Sequence, residues 1–218
     1  MKRYLGILLV MVFAFNSLVS CSKAKQPSAE ALAEAGEKIF QDRDFDNAVK
    51  QYDEAIRLYP NSAEGYFNRG KFYNWQGQYD AAIKDLNEAI RLDPNYARAY
   101  ASRGFVYYKK DDYYGRKADY DRAIADFTEA IRLDPNDADV YLYRSYVYHS
   151  QGLYDATIRD LNEAIRLDPN YARAYVNRGI THKQLGQINL AIQDFEKALS
   201  IDPNFGGARR ELWEIRGY

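Results

Sequence analysis

The 218-residue sequence predicts an all-α architecture, a solenoid of stacked helical hairpins, and three observations carry that prediction. Pro60, Pro94, Pro135, Pro169 and Pro203 follow one another at steps of 34, 41, 34 and 34 residues. The segment from Leu86 to Tyr100 recurs from Leu161 to Tyr175. Within each period, apolar residues fall into two stripes at i, i+3, i+4 and i+7, the mark of two amphipathic helices. A fixed period of this size signals supersecondary units that bury their apolar faces only by stacking on one another.

The first segment, residues 1–20, stands apart from these units. Lys2 and Arg3 precede an apolar run from Leu5 to Val19, too short to cross about 30 Å of hydrocarbon and suited to an export signal. The run ends in Leu18-Val19-Ser20-Cys21, which resembles the lipobox of bacterial lipoproteins. That resemblance implies acylation of Cys21, the only cysteine, with the signal removed in front of it. An ordinary secretory signal followed by a chance cysteine is the competing reading. Removal of residues 1–20 leaves 28 basic side chains against 31 acidic ones and takes the formal charge from -1 to -3. Residues 22–28 read as a tether. Ser22, where aspartate would favour inner-membrane retention, inclines the expectation toward the outer membrane.

Five units follow, at 29–62, 63–96, 97–137, 138–171 and 172–205, and residues 206–218 form a capping helix over the last apolar face. In the second unit, Tyr66, Arg69, Gly70 and Tyr73 share one face of the first helix. Ala82, Ile83, Leu86, Ala89 and Ile90 line the second helix. Gly77 supplies the bend, Asp80 puts negative charge in the first turn of the second helix, and Asp93-Pro94-Asn95 ends that helix and caps the next. The third unit carries seven extra residues between Tyr107 and Ala123, about two helical turns. Each of its helices is expected to lengthen by one turn around Gly115, with Tyr113 and Tyr114 as a contact site at a protruding corner. A solvated charged turn explains the same residues.

The residues Tyr66, Gly70, Tyr73, Ala82, Leu86, Ala89 and Pro94 resemble the tetratricopeptide repeat, and Tyr100, Gly104, Tyr107, Ala123, Phe127, Ala130 and Pro135 repeat the pattern. The resemblance runs from Ala29 to Phe205, with departures at Ser145 and Thr157. It implies a right-handed superhelix whose first helices line a concave groove that holds extended or helical segments of partners. The side chains it directs into the groove are Phe67, Asn68, Lys71, Trp75, Arg98, Ser102, Phe105, Tyr108, Tyr143, Tyr146, Arg173 and Asn177, with Leu142 and Val176 beside them. The family's chaperone-tail clamp needs Lys and Asn where this chain has Ala33 and Glu37, so that specificity does not carry over.

One column departs from the family. Arg69, Arg103, Arg144 and Arg178 stand where leucine is usual, and the same four units carry Asp85, Asp126, Asp160 and Asp194. The first unit has Ala35 and Gln51 at these two places. The joint presence and absence predicts a structural ion pair between the helices of each unit, with the guanidinium against a tyrosine face such as Tyr73 or Tyr107. An anion-binding arginine ladder is the functional alternative.

The near-balanced charge argues against a generally basic nucleic-acid binder. One cysteine and two distant histidines, His149 and His182, supply no metal set, and no cofactor motif or catalytic residue is indicated. The expected protein is a non-enzymatic scaffold, lipid-anchored in the cell envelope, that binds protein or peptide partners. A homo-oligomer is compatible with this layout. The alternatives are a glycan or small-ligand binder near Trp75 or Tyr143, and a covering module for a separate enzyme.

Overall fold

The computed structural model describes residues 28–114 and 119–217, so the expected export signal, Cys21 and nearly all of the expected tether lie outside the described residues. Eleven helices and no strands occur among the described residues. They are α1 (Ala29–Gln41), α2 (Phe45–Leu58), α3 (Ala63–Trp75), α4 (Tyr79–Leu92), α5 (Ala97–Tyr114) and α6 (Tyr120–Leu133). Then come α7 (Ala138–Ser150), α8 (Tyr154–Leu167), α9 (Ala172–Gln184), α10 (Ile188–Ile201) and α11 (Gly206–Arg216). Each odd-numbered helix pairs with the next to make a hairpin, and each hairpin packs on its successor.

The hairpins close because a large side chain enters a notch left by a small one. Tyr52, Leu86, Phe127, Leu161 and Phe195 are all buried at the same place in the second helices. Tyr52, Leu86, Phe127 and Phe195 face Gly36, Gly70, Gly104 and Gly179, and Ser145 stands in the glycine's place in the fourth unit. A methyl group added at Gly36 would lie 2.5 Å from the Tyr52 ring, and one at Gly179 2.7 Å from Phe195. Ser145 and Thr157, the two departures in the fourth unit, stay satisfied by donating to Leu142 O at 2.6 Å and Leu153 O at 3.1 Å within their own turns.

The corners of the first, second, fourth and fifth units use a left-handed residue to reverse the chain. Gly77, Gly152 and Gly186 take it at φ near 75°, whereas the first unit puts Arg43 there at φ 63. At the other end of the hairpins, Asp93, Asp134, Asp168 and Asp202 turn their carboxylates onto the N–H of the asparagine two residues on, at 2.9 to 3.1 Å. This corrects the expectation that Asn95 caps the following helix: the aspartate uses the asparagine backbone to fold the turn, with proline between them.

The insertion also differs from expectation. α5 has 18 residues against 13 in α3, α7 and α9, while α6 keeps the 14 of every other second helix. Only the first helix lengthens, because the start of the second is fixed by packing of Tyr120 and Ala123 against the α5 interior. Tyr113 and Tyr114 lie at the end of α5, and their side chains lie outside the described residues. At the C-terminus, α11 buries Ala208 and Leu212 against Tyr175 and Phe195. Trp213, on the same helix, is 58% exposed.

Candidate functional site

Two repeated constellations distinguish this solenoid: a ladder of ion pairs inside it and an aromatic groove along its first helices. In the ladder, each arginine grips its aspartate with two parallel bonds. Arg69 Nε and Nη2 donate to Asp85 at 2.7 and 2.9 Å, and Arg103 to Asp126 at 2.8 and 2.6 Å. Arg144 binds Asp160 at 2.8 Å twice, and Arg178 binds Asp194 at 2.9 and 2.7 Å. All four carboxylates are buried. Asp85 and its hydrogen bonds raise Arg69 above the usual guanidinium range despite its partial burial.

The remaining arm of every guanidinium, Nη1, reaches back to the second helix of the preceding unit. It donates to Asp53 at 2.7 Å, Asn87 at 2.6 Å, Thr128 at 3.0 Å and Asn162 at 2.7 Å. One side chain thus ties three helices and two units together. Sequence reasoning missed this acceptor because the column mixes three residue types, although all four acceptors precede their arginine by 16 residues. Tyrosines flank the guanidinium groups: Tyr66 and Tyr73 lie 5.9 and 5.8 Å from Arg69, and Tyr175 lies 5.4 Å from Arg178. Tyr107 departs from expectation, since its ring takes Arg122 at 5.7 Å. With every nitrogen occupied by protein acceptors, the ladder holds units together and has no arm aimed at a free anion.

The groove runs over α1, α3, α5 and α7 as one cavity of ≈390 Å³. Eight of the twelve residues named above line it: Phe67, Asn68, Lys71, Trp75, Arg98, Ser102, Phe105 and Tyr143. Phe67 and Asn68 are only 2% and 5% exposed, so they form its floor rather than free contact groups. Leu142 and Val176, in the same column as Phe67, do not line this cavity and pack in the core instead. Trp75 is 54% exposed and tops a cluster with Phe40, Phe45 and Phe72, its ring 4.1 Å from that of Phe45. Glu37 and Phe40 of α1 also line the cavity, and sequence reasoning had not assigned them to it.

Tyr108, Tyr146, Arg173 and Asn177 lie beyond this cavity and continue the same face toward α9. Phe105 and Tyr108 on α5 meet Tyr143 and Tyr146 on α7, with ring centroids 5.0 Å apart for Phe105 and Tyr143 and 6.4 Å for Tyr108 and Tyr146. Asn177 Nδ2 reaches the Tyr146 hydroxyl at 3.5 Å. Burial pushes the Tyr146 phenol up to about 12, so it stays a neutral hydroxyl at physiological pH. Tyr96 donates to Glu64 and Tyr171 to Asp139, latching α3 to α5 and α7 to α9. Burial first, and the accepting carboxylate second, raise both phenols far above the ordinary range.

Charges in the groove are unevenly paired. Lys71 meets Glu37 at 3.3 Å. Arg98 lies 4.8 Å from the Phe67 ring, and neither it nor Arg173 has a carboxylate partner among the described residues. Within the same residues, no group of three or more metal-binding side chains occurs, and no helix is long and apolar enough to cross a membrane.

A curved stack of hairpins, lined inside by its first helices, defines a helical-repeat solenoid. Residues 36–74, 73–111, 116–152 and 146–186 match the TPR repeat family, and residues 172–205 match the tetratricopeptide repeat. The chain belongs to the tetratricopeptide-repeat family. Its structure is similar to that of MamA, with 30% identity and a TM-score of 0.67 over 77% of this chain and 94% of that one. It also resembles YrrB, described as a TPR protein with an unusual peptide-binding site, at 20% identity and a TM-score of 0.66 over 86% of this chain and 93% of that one. PilW, a type IV pilus biogenesis factor, shares 17% identity with a TM-score of 0.76, covering 89% of this chain and 88% of that one. The latter two likenesses concern the fold alone. Among curated proteins, none matches.

Proposed function

We propose that this chain is a lipid-anchored adaptor of the bacterial cell envelope that holds peptide segments of partner proteins in its concave groove. The observation that carries the reading is the continuous cavity across four first helices, which joins exposed Trp75 to Phe105 and Tyr143 beside Arg98. Tryptophan, tyrosine and arginine are the side chains that most often dominate binding energy in protein interfaces. YrrB, a structural neighbour of the same family, is described by its peptide-binding site, which favours this use of the fold. A glycan would need open ring faces, and Phe105, Tyr143 and Tyr146 are packed on one another at 57° and 74°, edge against face.

The anchor belongs to the same proposal. Cys21 follows an apolar run of signal length, and acylation would hold the solenoid at a membrane, raising the local concentration of the groove around envelope partners. Outer-membrane placement follows from Ser22 alone. Photo-crosslinkers at positions 75 and 143, compared with positions 84 and 159 on second helices, test the groove in cells. Crosslinks to a defined protein from the first pair only are expected, and equal labelling from both pairs would defeat the reading. Cys21→Ser should release the chain from the membrane fraction, with incorporation of radiolabelled palmitate lost in parallel.

A further inference from the structure

The peptide-groove reading leaves open what kind of segment fits, and the charge of the lining narrows it. A second cavity of ≈370 Å³ opens at the α1 end of the groove and shares Glu37, Asn68, Lys71 and Arg98 with the larger one. Six carboxylates line the two, those of Glu30, Glu34, Glu37, Glu64, Asp137 and Asp139, against two cations, Lys71 and Arg98. The lining thus has a formal charge of -4, whereas the whole chain has -1. The negative charge is concentrated in the groove. Lys71 with Glu37, at 3.3 Å, is the one ion pair that these eight side chains make among the described residues. Glu64 and Asp139 accept from the Tyr96 and Tyr171 hydroxyls, and Asp137 accepts from the Asp139 N–H at 3.0 Å. Neutral donors leave the carboxylate charge in place. Burial raises the Asp137 carboxyl above its ordinary value, and Asp139 and Asp134 add to the rise.

The floor of both cavities adds an acceptor. Asn68 is only 5% exposed and donates its Nδ2 to Glu64 at 3.2 Å. A carboxylate accepts only, so the amide nitrogen must face Glu64 and the oxygen is what Asn68 has left to offer. No donor among the described residues reaches that oxygen. A buried amide oxygen takes its donor from whatever fills the cavity. The rings beside these groups already hold cations. Lys71 Nζ lies 5.6 Å from the Phe67 ring, the Arg98 guanidinium 4.8 Å from the same ring, and Lys109 Nζ 5.7 Å from the Phe105 ring. Trp75, 54% exposed, takes none among the described residues.

Resting on the peptide-groove reading, we propose that the part of the groove formed by α1, α3, α5 and α7 binds a segment rich in lysine or arginine. Its cationic heads lie among Glu30, Glu34, Asp137 and Asp139, and their alkyl stems lie against Trp75. An acidic segment would bring like charge to this lining, and an apolar one would desolvate carboxylates without replacing their water.

The test uses the full chain in detergent and three labelled peptides of one length followed by fluorescence anisotropy. They share an alanine and leucine background and carry Lys, Gln or Glu at every third position. The Lys peptide should bind about tenfold more tightly than the Gln peptide, and the Glu peptide should bind least. Raising the salt to about 0.5 M should erase the difference between Lys and Gln. Glu34→Lys, at an exposed position, should weaken the Lys peptide about tenfold and spare the Gln peptide. Asp155→Lys makes the same change of net charge on α8, outside both cavities, and should leave the preference intact. Trp75→Ala should weaken all three peptides.

Equal affinity for the Lys and Gln peptides, weakened alike by Trp75→Ala, would overturn the cationic assignment and leave the peptide groove standing. Equal weakening by Glu34→Lys and Asp155→Lys would trace the preference to overall charge and overturn the site. No binding by any of the three would remove both this proposal and the groove reading beneath it.

Discussion

The first unit and the four that follow share a hairpin and differ in how it is fastened. In units two to five, a guanidinium joins both helices and the unit before it. The first unit has Ala35 and Gln51 at the paired positions and contributes only Asp53, as an acceptor for its neighbour. It also places Arg43 at the left-handed corner that glycine takes in the second, fourth and fifth units. What remains there is packing and the Lys71–Glu37 ion pair, with Tyr52 in the Gly36 notch and Phe40 and Phe45 against Phe72 and Trp75. The contrast separates two roles that usually overlap in repeat arrays. Shape complementarity suffices to form a hairpin, and the polar ladder sets how firmly one hairpin holds the next.

The largest expected effect comes from breaking a pair inside the ladder. Asp160→Asn leaves a partly buried guanidinium without its counter-charge and should destabilise the fold by about 3 kcal/mol, read as a fall in melting temperature. An unchanged melting temperature would mean that the ladder contributes nothing to cohesion. Filling a notch should come next: Gly179→Ala forces Phe195 to move and should destabilise by about 2 kcal/mol in chemical denaturation.

Smaller effects sharpen the comparison from the other side. Arg43→Gly relieves the left-handed corner of the first unit and should stabilise the array by about 1 kcal/mol. In hydrogen exchange, amides of α1 and α2 should lose protection before those of α7 to α10, and Arg43→Gly should narrow that gap. Simultaneous loss across all helices would show one cooperative unit and erase the distinction.

Alkali gives the mildest probe. Tyr52 in the first unit and Tyr146 in the fourth both titrate above the ordinary 10.0 when folded, Tyr146 at about 12. Burial is the leading cause in both. A phenol raised in this way adds stability that is complete below pH 10 and is lost as pH rises through about 12. Tyrosinate absorbance should therefore rise in two steps. Tyr52 and Tyr146 should ionise in the later step, and Tyr52→Phe should lower its amplitude.

Much of this was legible beforehand, for reasons that differ by residue. Evenly spaced prolines and the repeated segment at Leu86 and Leu161 reveal the hairpins because a stacked array repeats its packing solution. The arginine and aspartate columns are present or absent together, so the pairing could be read from four copies and one exception. The third arm was hidden because Asp53, Asn87, Thr128 and Asn162 share an acceptor oxygen and not a residue type. The groove was legible by column but not by depth. Phe67 and Leu142 occupy equivalent places, and how far each is withdrawn depends on how the neighbouring helices cross.

Because each guanidinium fork spans the boundary between hairpins, the step from one unit to the next is set by the reach of a single rigid side chain. The curvature of the inner surface is therefore built in before anything docks. A segment entering such a ready-made cradle spends little of its interaction energy on reshaping the host. Its length must suit the cradle's fixed gauge, so that a piece shifted by one residue loses its contacts all along the spiral.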